Sequence, residues 1–554
     1  MRTSKTWYVA DFETTGQDYY EENGYTKVWL YAICDNNANI VDIGDSIEKF
    51  FVFLRAHTCK TYYFHNLKFD GSFILDYLLN NNYTFYDSED KAITKGFSLL
   101  IGDMGQWYSM TICFNKGHSV RILDSLKILP FKVEKIAKDF NLPILKERID
   151  YSDYTIDEDR IRYVSHDVKI VAMAIKILRD EGLVYTTTAS NAYHDYQNTL
   201  PDYVIREFDP ELDKEWLVEW RAAYRGGRTQ VNPYYARKLL RNVYRYDINS
   251  MYPWVMYTQP MPYGKPIPIT TMGKYKFEVY HFKMAFTLKD GHLPTLLKKS
   301  TVFGTDSYYI DTEGIEDIYI TSPDYLILKR HYDIQFEDLV EGFGFYCSTN
   351  IFKKYIDKWY KRKQVDEGAK RVIDKLMLNS LYGKFGSNCE GKHKIPSLVD
   401  GEVKLTDSPL QDMRRYYLPR ALAIVSWAHL RIDDGILDAG IENFVYCDTD
   451  SIHTLAPMSK KYVDDKKLGY YKLEAVEDRS KYIRQKTYIY HSKKEGYVIT
   501  CAGMSNILKE MYLQENASNP FKAFDVGLKL KGKLLPKRVK GGTILYETTF
   551  EIKV

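Results

Sequence analysis

Tyr446-Cys447-Asp448-Thr449-Asp450-Ser451 sets two carboxylates two residues apart within a run rich in apolar and β-branched residues, 444–456, which predicts a strand. Side chains two apart leave one face of a strand, so Asp448 and Asp450 are expected to project together, at a hairpin. Far upstream, Asp247 ends a predicted strand at 243–248 in Tyr246-Asp247-Ile248-Asn249-Ser250-Met251-Tyr252-Pro253, followed by a turn. Burying three acids without a counter-ion costs several kcal/mol through repulsion and desolvation. They make better sense as an oxygen-rich cation site, with triphosphate oxygens and water completing the octahedra. Two cations in such a site support in-line displacement at phosphorus.

A strongly helical block at 350–386 supplies the opposite charge. Gln364-Val365-Asp366-Glu367-Gly368 interrupts two amphipathic runs and predicts a helical hairpin. Lys375, Asn379 and Gly383 follow at helical spacing, with Arg371 one step earlier. A cationic row beside a small residue can hold a triphosphate while backbone approaches a base pair.

A second set of acids lies nearer the start. Asp11 and Glu13 share a face of a predicted strand, and Asp70 stands directly before a helix opening at Gly71. Tyr163 and Asp167 are four apart on a predicted helix and project together. Each fragment alone is unspecific; the ordered set suits two divalent cations, one activating water and one stabilising a leaving oxygen. Tyr163 would orient the water or the phosphate, and Lys146 would add a cation.

Length bounds the architecture: 554 residues exceed a single core, so two or more domains are expected. Strands interleaved with helical patterns at 46–56, 71–80, 132–140 and 157–180 predict an α/β unit over 1–185. Thr186 to Asp209 is polar and weakly periodic and is expected to be a connection, before a second part, 186–554, of mixed α+β character. Residues 386–419 predict an extended or β-rich excursion, and 520–554 a small module of short strands. The net charge of +3 comes from 77 basic and 74 acidic residues, so nucleic-acid binding requires segregated zones such as Lys353-Lys354, Lys358 to Lys363 and Lys529 to Lys540. Tyrosine, at 49 residues, suits stacking on bases. Seven cysteines without a CxxC argue for reduced thiols and against structural zinc, and no apolar run approaches a membrane span. An intracellular protein without membrane association is expected.

Taken together, these motifs make the chain resemble the protein-primed family B DNA polymerases of the phage phi-29 type, almost end to end. Asp11-Phe12-Glu13-Thr14-Thr15, Asn66-Leu67-Lys68-Phe69-Asp70 and Tyr163 to Asp167 resemble the three exonuclease motifs, with Lys146 at the catalytic lysine. Tyr224-Arg225-Gly226-Gly227 is similar to the YxGG motif that coordinates synthesis and degradation. Asp247 to Pro253, Lys375 to Gly383 and Tyr446 to Ser451 resemble motifs A, B and C, and Lys486-Thr487-Tyr488 the KxY motif that holds the primer terminus.

The resemblance implies a ribonuclease H-like exonuclease domain over 1–185 and a right-hand polymerase domain over 186–554. Within the latter it implies a palm at about 190–260 and 420–490, fingers at about 351–385 and a thumb at about 500–554. An insertion near 299–350 would contact a terminal protein, and one near 386–419 would close around DNA. Asp247 and Asp450 would be metal ligands with Asp448 in support; Asp11, Glu13, Asp70 and Asp167 would hold the exonuclease metals, with two Mg²⁺ per site and Mn²⁺ as an alternative. Tyr252 would stack under the incoming sugar, Tyr382 would meet the nascent pair, and Lys363, Arg371, Lys375 and Asn379 would contact the nucleotide. His65, Asn66, Phe69, Ser125, Leu126 and Tyr151 would hold the frayed strand, and Tyr224, Gly226, Gly227, Lys486 and Tyr488 the DNA. Implied partners are primer-template DNA, a displaced strand, dNTPs and a terminal protein, for a monomeric enzyme in the cytoplasm of a host bacterium. Two features depart from the family pattern: an acidic, aromatic stretch from Gln17 to Tyr25, and arginine at 371 where lysine is expected. A nucleic-acid-primed family B polymerase remains the alternative, separated by the insertion near 299–350.

Overall fold

The computed structural model describes residues 6–86, 93–147, 153–298 and 307–553. Trp7–Thr14 (β1), Val28–Asp35 (β2), Ile40–Gly44 (β3), Thr61–Phe64 (β4), Thr84–Phe85 (β5), Gly96–Ile101 (β6), Trp107–Asn115 (β7) and His118–Asp124 (β8) form one sheet, ordered β3-β2-β1-β4-β8-β7-β6-β5. β1 is central, antiparallel to β2 and parallel to β4. Around the sheet lie Gln17–Asn23 (α1), Ile47–Ala56 (α2), Leu67–Asn80 (α3), Val133–Asp139 (α4) and Glu158–Asp180 (α5), with α5 packed on β1 and β2. This is the α/β unit that the periodicity predicts. One detail differs: α3 opens at Leu67, not Gly71. Asp124 at the end of β8 accepts from the Asn66 and Leu67 amides at 3.1 and 3.3 Å, so a residue distant in sequence caps the helix early.

The stretch 186–209 is not a plain connection. It forms Thr188–Gln197 (α6) and Asp202–Phe208 (α7), followed by Lys214–Trp220 (α8). Ala192, Tyr193 and Tyr196 of α6 are buried, and rings of Tyr196 and Phe352 lie 5.0 Å apart. The stripe is short and embedded in polar residues, so tertiary packing rather than periodicity reveals the helix.

Thr229–Val231 (β9), Leu239–Leu240 (β10), Val243–Ile248 (β11), Met261–Ile269 (β12), Phe277–Leu288 (β13), Glu316–Thr321 (β14) and Tyr332–Ser348 (β15) come next, with helices Met251–Thr258 (α9) and Ser322–His331 (α10). β12, β15, β13 and β14 make a separate four-stranded sheet, so the chain from 261 to 348 acts as one unit. The predicted helical hairpin is present as Lys353–Val365 (α11) and Gly368–Phe385 (α12). The excursion beyond it is two small ribbons from Glu390–Gly391 (β16), Lys394–Val399 (β17), Glu402–Asp407 (β18) and Gln411–Asp412 (β19). Leu418–Ala439 (α13) leads to Phe444–Asp448 (β20), Ser451–Thr454 (β21) and Tyr471–Glu477 (β22). β22, β11, β21, β20 and β9 form the five-stranded sheet that carries the later acids.

Arg479–Arg484 (β23), Thr487–Ser492 (β24) and Gly496–Cys501 (β25) complete a sheet with β10, and Lys529–Val539 (β26) pairs with Gly542–Glu551 (β27). The strands of the last module are thus one long hairpin rather than several short ones, preceded by the short helix Pro520–Ala523. Its tip docks on the α/β unit: Lys540 O accepts from Thr26 N at 2.9 Å, and Gly541 N donates to Asp76 Oδ1 at 3.1 Å. The atypical stretch after Glu13 is part of that contact, since Gln17 Oε1 accepts from Glu547 N at 3.0 Å. The main apolar cluster runs from Trp7 to Tyr471, so the two parts of the chain share one core.

Candidate active sites

β1, α3 and α5 converge on a cavity of about 250 Å³ lined by Asp11, Glu13, His65, Asn66, Phe69, Asp70, Lys146, Tyr163 and Asp167. Alternation along β1 aims Asp11 and Glu13 inward, and four-residue spacing on α5 aims Tyr163 and Asp167. Burial, then repulsion from Asp167, pushes the Asp11 carboxyl up to about 7, with Lys146 opposing. Asp70 is raised by burial and by Asp11 and Glu13, and Asp167 by burial against the pull of Lys146. Lys146 bonds Asp167 directly and lies 4.9 Å from the Tyr163 ring centre. Asp167 Oδ1 is buried without a hydrogen-bond partner.

The remaining residues expected near the first site fall on its rim. His65 lies 3.0 Å from Ser125 Oγ through Nδ1 and 2.7 Å from Phe131 O through Nε2. Ser125 itself is buried, its hydroxyl donating to Phe64 O at 3.1 Å, so it holds the His65 ring. The Leu126 amide, like those of Asn66 and Leu67, donates to Asp124. Asp124 thus ties the backbone at Asn66, Leu67 and Leu126 together, a role with no local signal in the sequence. Tyr151 lies outside the described residues.

In the second site the strand pairing sets Asp247 and Asp448 each opposite Ser451, on β11 and β20. Asp448 ends β20; Asp450 does not share a strand face with it but follows Thr449, at φ 62°, in the hairpin turn. Ile248 N donates to Asp450 O at 2.8 Å and draws that turn against Asp247. Burial, Asp450 and Glu474 push Asp247 up to about 7, against Lys472 and Lys363. Burial and Asp448 push Asp450 up to about 6, against its own amide and Lys486. Asp448 is held differently: Lys486 Nζ donates to both of its oxygens at 2.6 and 2.7 Å, and Thr229 Oγ1 donates at 3.0 Å. Among the described residues, no cation bonds Asp247 or Asp450 directly. Thr229 and Glu474 belong to this site and carry no motif of their own.

The nucleotide side is assembled by α9, α11 and α12. Tyr252 is not in a turn but in the first turn of α9, and its ring stacks on Tyr382 with centroids 4.1 Å apart. Lys363 Nζ donates to Ser250 Oγ at 2.7 Å, and burial with the charges of Lys375 and Arg371 lowers it to about 8. Arg371 reaches back to Lys363 O at 2.7 Å, while Lys375, Asn379 and Gly383 share the exposed face of α12. Tyr488 packs beside Tyr446 and Tyr482, both at 5.2 Å. The Tyr224 hydroxyl lies where a Cβ on Gly386 would come within 2.5 Å, and a Cβ on Gly227 would meet Thr449 at 2.8 Å; a Cβ on Gly226 would meet open space.

Among the described residues no three His, Cys, Asp or Glu side chains are placed to enclose an ion by themselves. That suits Mg²⁺, which is commonly bound by one or two carboxylates with water and substrate phosphate completing its shell. Buried acids raised towards neutrality, and the orphaned oxygen of Asp167, fit such a cation.

The model of the family "DNA polymerase type B, organellar and viral" matches residues 54–155 and 150–468. The chain belongs to this family. It is 35% identical to the DNA polymerases of Bacillus phage Nf and Bacillus phage phi29, over 99% of this chain and 100% and 99% of theirs. The polymerase of Streptococcus phage Cp-1 is 32% identical, over 99% of this chain and 98% of that protein. Phi29 DNA polymerase complexed with primer-template DNA and incoming nucleotide superposes with a TM-score of 0.90 at 33% identity, covering 99% of this chain and all of that one. The same polymerase complexed with single-stranded DNA gives the same values. The protein is a DNA-directed DNA polymerase with the exonuclease and polymerase domains of family B, a family in which exonuclease activity is known and divalent metals are generally used. Among the described residues no helix is long and apolar enough to cross a membrane.

Proposed function

We propose that this is a viral replicative polymerase that starts from a terminal-protein hydroxyl, displaces the non-template strand, proofreads 3′→5′ and works as a monomer in the cytoplasm of a bacterial host. The observation that carries the polymerase half is the apposition of Asp247 and Asp450 beside Lys363, under the stacked Tyr252 and Tyr382. The cations, Mg²⁺ or Mn²⁺, two per site, would lower the pKa of the primer hydroxyl and offset charge on the phosphate. Asp247 and Asp450 would hold them, and Lys486, donating to both oxygens of Asp448, fixes that acid in place. Lys363, Arg371 and Lys375 would grip the triphosphate, with Asn379 beside them. Tyr252, braced by Tyr382, would leave no space for a 2′-hydroxyl.

In the other half, Asp11, Glu13, Asp70 and Asp167 would hold the cations for hydrolysis, with Tyr163 and Lys146 orienting the phosphate. His65, Asn66 and Phe69, which line the cavity, would hold a frayed strand, with Leu126 beside them. Domain limits at about residue 185, and the palm, fingers and thumb spans given above, are part of this reading. The sheet of 261–348 supports a partner-binding insertion that begins earlier than 299.

Purified terminal protein with α-labelled dATP tests priming: covalent transfer of labelled dAMP to the protein, with release of pyrophosphate, is expected, and none would leave the nucleic-acid-primed alternative. Extension on a circular single-stranded template without helicase should give products longer than one circle. Asp450→Ala should abolish incorporation, and Asp11→Ala with Asp70→Ala should abolish single-strand degradation; survival of either activity refutes the corresponding assignment.

A further inference from the structure

Arg228 directly follows Gly226-Gly227, in a segment expected to face DNA, yet its side chain is only 3% exposed. Its guanidinium turns inward, to Asp433 Oδ1 at 3.3 Å and to Gln230 Oε1 at 3.0 and 3.2 Å. The backbone around it grips the turn that carries the polymerase acids. The Gly227 face abuts Thr449, the Arg228 carbonyl accepts from Thr449 N at 2.8 Å, and the Thr229 hydroxyl donates to Asp448. These three successive residues hold the turn Asp448-Thr449-Asp450, and with Gly226 they make up a strap, 226–229.

That strap is itself anchored from behind by α13. His429 Nε2 lies 2.7 Å from Gly226 O, and Asp433, four residues on along the same face, holds Arg228. Both α13 residues are bound in turn by α10. His429 Nδ1 lies 2.9 Å from Asp324 Oδ1; Asp433 Oδ1 lies 2.9 Å from His331 Nε2, and Asp433 Oδ2 accepts from Arg330 at 2.9 Å. The two partners of His429 are acceptors, so a ring that makes both bonds donates from both nitrogens. Two parallel chains therefore run from one helix of the 261–348 unit, through α13, to adjacent points of the strap. Asp433 and His331 are completely buried, and removing one member of such a network strands the others at a cost. Apolar side chains would fill the same space without that liability, but would not fix direction as hydrogen-bonded charges do.

We propose that Asp433 and His429 are positioning residues for nucleotide addition: with α10 behind them, they set the strap of 226–229 and through it the acids of the 448–450 turn. This rests on the reading of Asp448 and Asp450 as the polymerase acids, so Asp450→Ala serves as the control. If that variant still incorporates dNTP, the reading of the acids fails, whatever the ties do.

The test compares Asp433→Asn, His429→Leu and His429→Arg by single-turnover dNTP incorporation, single-strand degradation at the Asp11 site, and thermal melting. For Asp433→Asn and His429→Leu the expected result is a fall in kcat of about 10-fold or more, as small misplacements of reacting groups produce. KM for dNTP and the rate of degradation should stay within about twofold, the pattern of an interaction felt only in the transition state. His429→Arg supplies donors in two directions and should recover most of what His429→Leu loses. The double variant Arg228→Gln with Asp433→Asn removes both charges of the buried pair, while Arg330 keeps Asp434 at 2.8 Å; folded by its melting curve, it should still show the reduced kcat. Wild-type kcat in that double variant, or incorporation and degradation falling together in step with the folded fraction, overturns the proposal.

Discussion

Gly226 and Gly227 are adjacent and chemically identical, yet replacing each by alanine should have different effects. At Gly227 an added Cβ would lie 2.8 Å from Thr449 Oγ1, 2.9 Å from its Cγ2 and 3.2 Å from its Cβ. Ordinary contacts between carbons lie at about 3.5–4.0 Å, so the turn must retreat by roughly half an ångström. Thr449 has no easy escape. Its amide is bonded to Arg228 O at 2.8 Å, its φ is 62°, and its hydroxyl donates to Asp448 at 3.3 Å. Overpacking of this kind costs about 1–3 kcal/mol, and a comparable displacement of reacting groups lowers rates by about 10- to 100-fold. Gly227→Ala should therefore lose that much in single-turnover incorporation, with single-strand degradation at the Asp11 site unchanged. Gly226→Ala points its methyl into open space and should alter affinity for DNA rather than the rate of the bound complex. Combining Gly227→Ala with Thr449→Gly removes the colliding atoms, and glycine adopts a φ of 62° freely, so the rate should recover. A Gly227→Ala enzyme within twofold of wild type, or a double variant no faster than the single, would refute the reasoning.

Asp11 and Asp247 are each pushed up to about 7, chiefly by burial. Acids raised in the folded state favour folding below their unfolded value and lose that contribution as pH climbs through about 7. The metal-free protein should thus melt higher at pH 6 than at pH 8. Added Mg²⁺ should raise the melting temperature more at pH 8, and Asp11→Asn with Asp247→Asn should flatten the pH difference; equal Mg²⁺ shifts at both pH values would count against the cation sites. Arg420 is fully buried, bonded to Asp209 and to Tyr196 Oη at 2.8 Å, so Arg420→Met should cost about 3–5 kcal/mol in denaturant unfolding, with Asp209→Leu in the same chain restoring most of it. Gly541 has a φ of 91°, and a Cβ there would come within 1.9 Å of the Thr26 carbonyl. Gly541→Ala should undock the β26–β27 tip, seen as faster hydrogen exchange at the Thr26 amide and shorter products per binding event; protection equal to wild type would exclude that docking.

The polymerase and exonuclease motifs were legible because their chemistry is carried by periodicity. Asp11 with Glu13 repeats at the strand period and Tyr163 with Asp167 at the helical one, so each pair presents one face wherever its element packs. The break at Gln364 to Gly368 announced the α11–α12 hairpin for the same reason. Misreadings arose where the deciding partner was remote. Asp124 moved the start of α3 from Gly71 back to Leu67, and α6 emerged from a polar stretch because Phe352 and Phe385 bury its tyrosines. Asp450 left the strand for the turn because the Arg228 carbonyl and the Ile248 amide bind the backbone there.

By itself the order of residues determined which acids, lysines and tyrosines the chain possesses, which of them share a face, and the family to which it belongs. Only the tertiary structure decided how each acid is held: Asp448 by Lys486 and Thr229, Asp247 against Asp450, Asp167 by Lys146 with one oxygen left over. It also made Arg228 and the atypical stretch after Glu13 parts of the machine, one behind the catalytic turn and one beside the C-terminal hairpin. Backbone periodicity is a property of neighbours and can be read along the chain. The charge state and rigidity of a buried carboxylate depend on groups hundreds of residues away, which folding alone brings within hydrogen-bond reach.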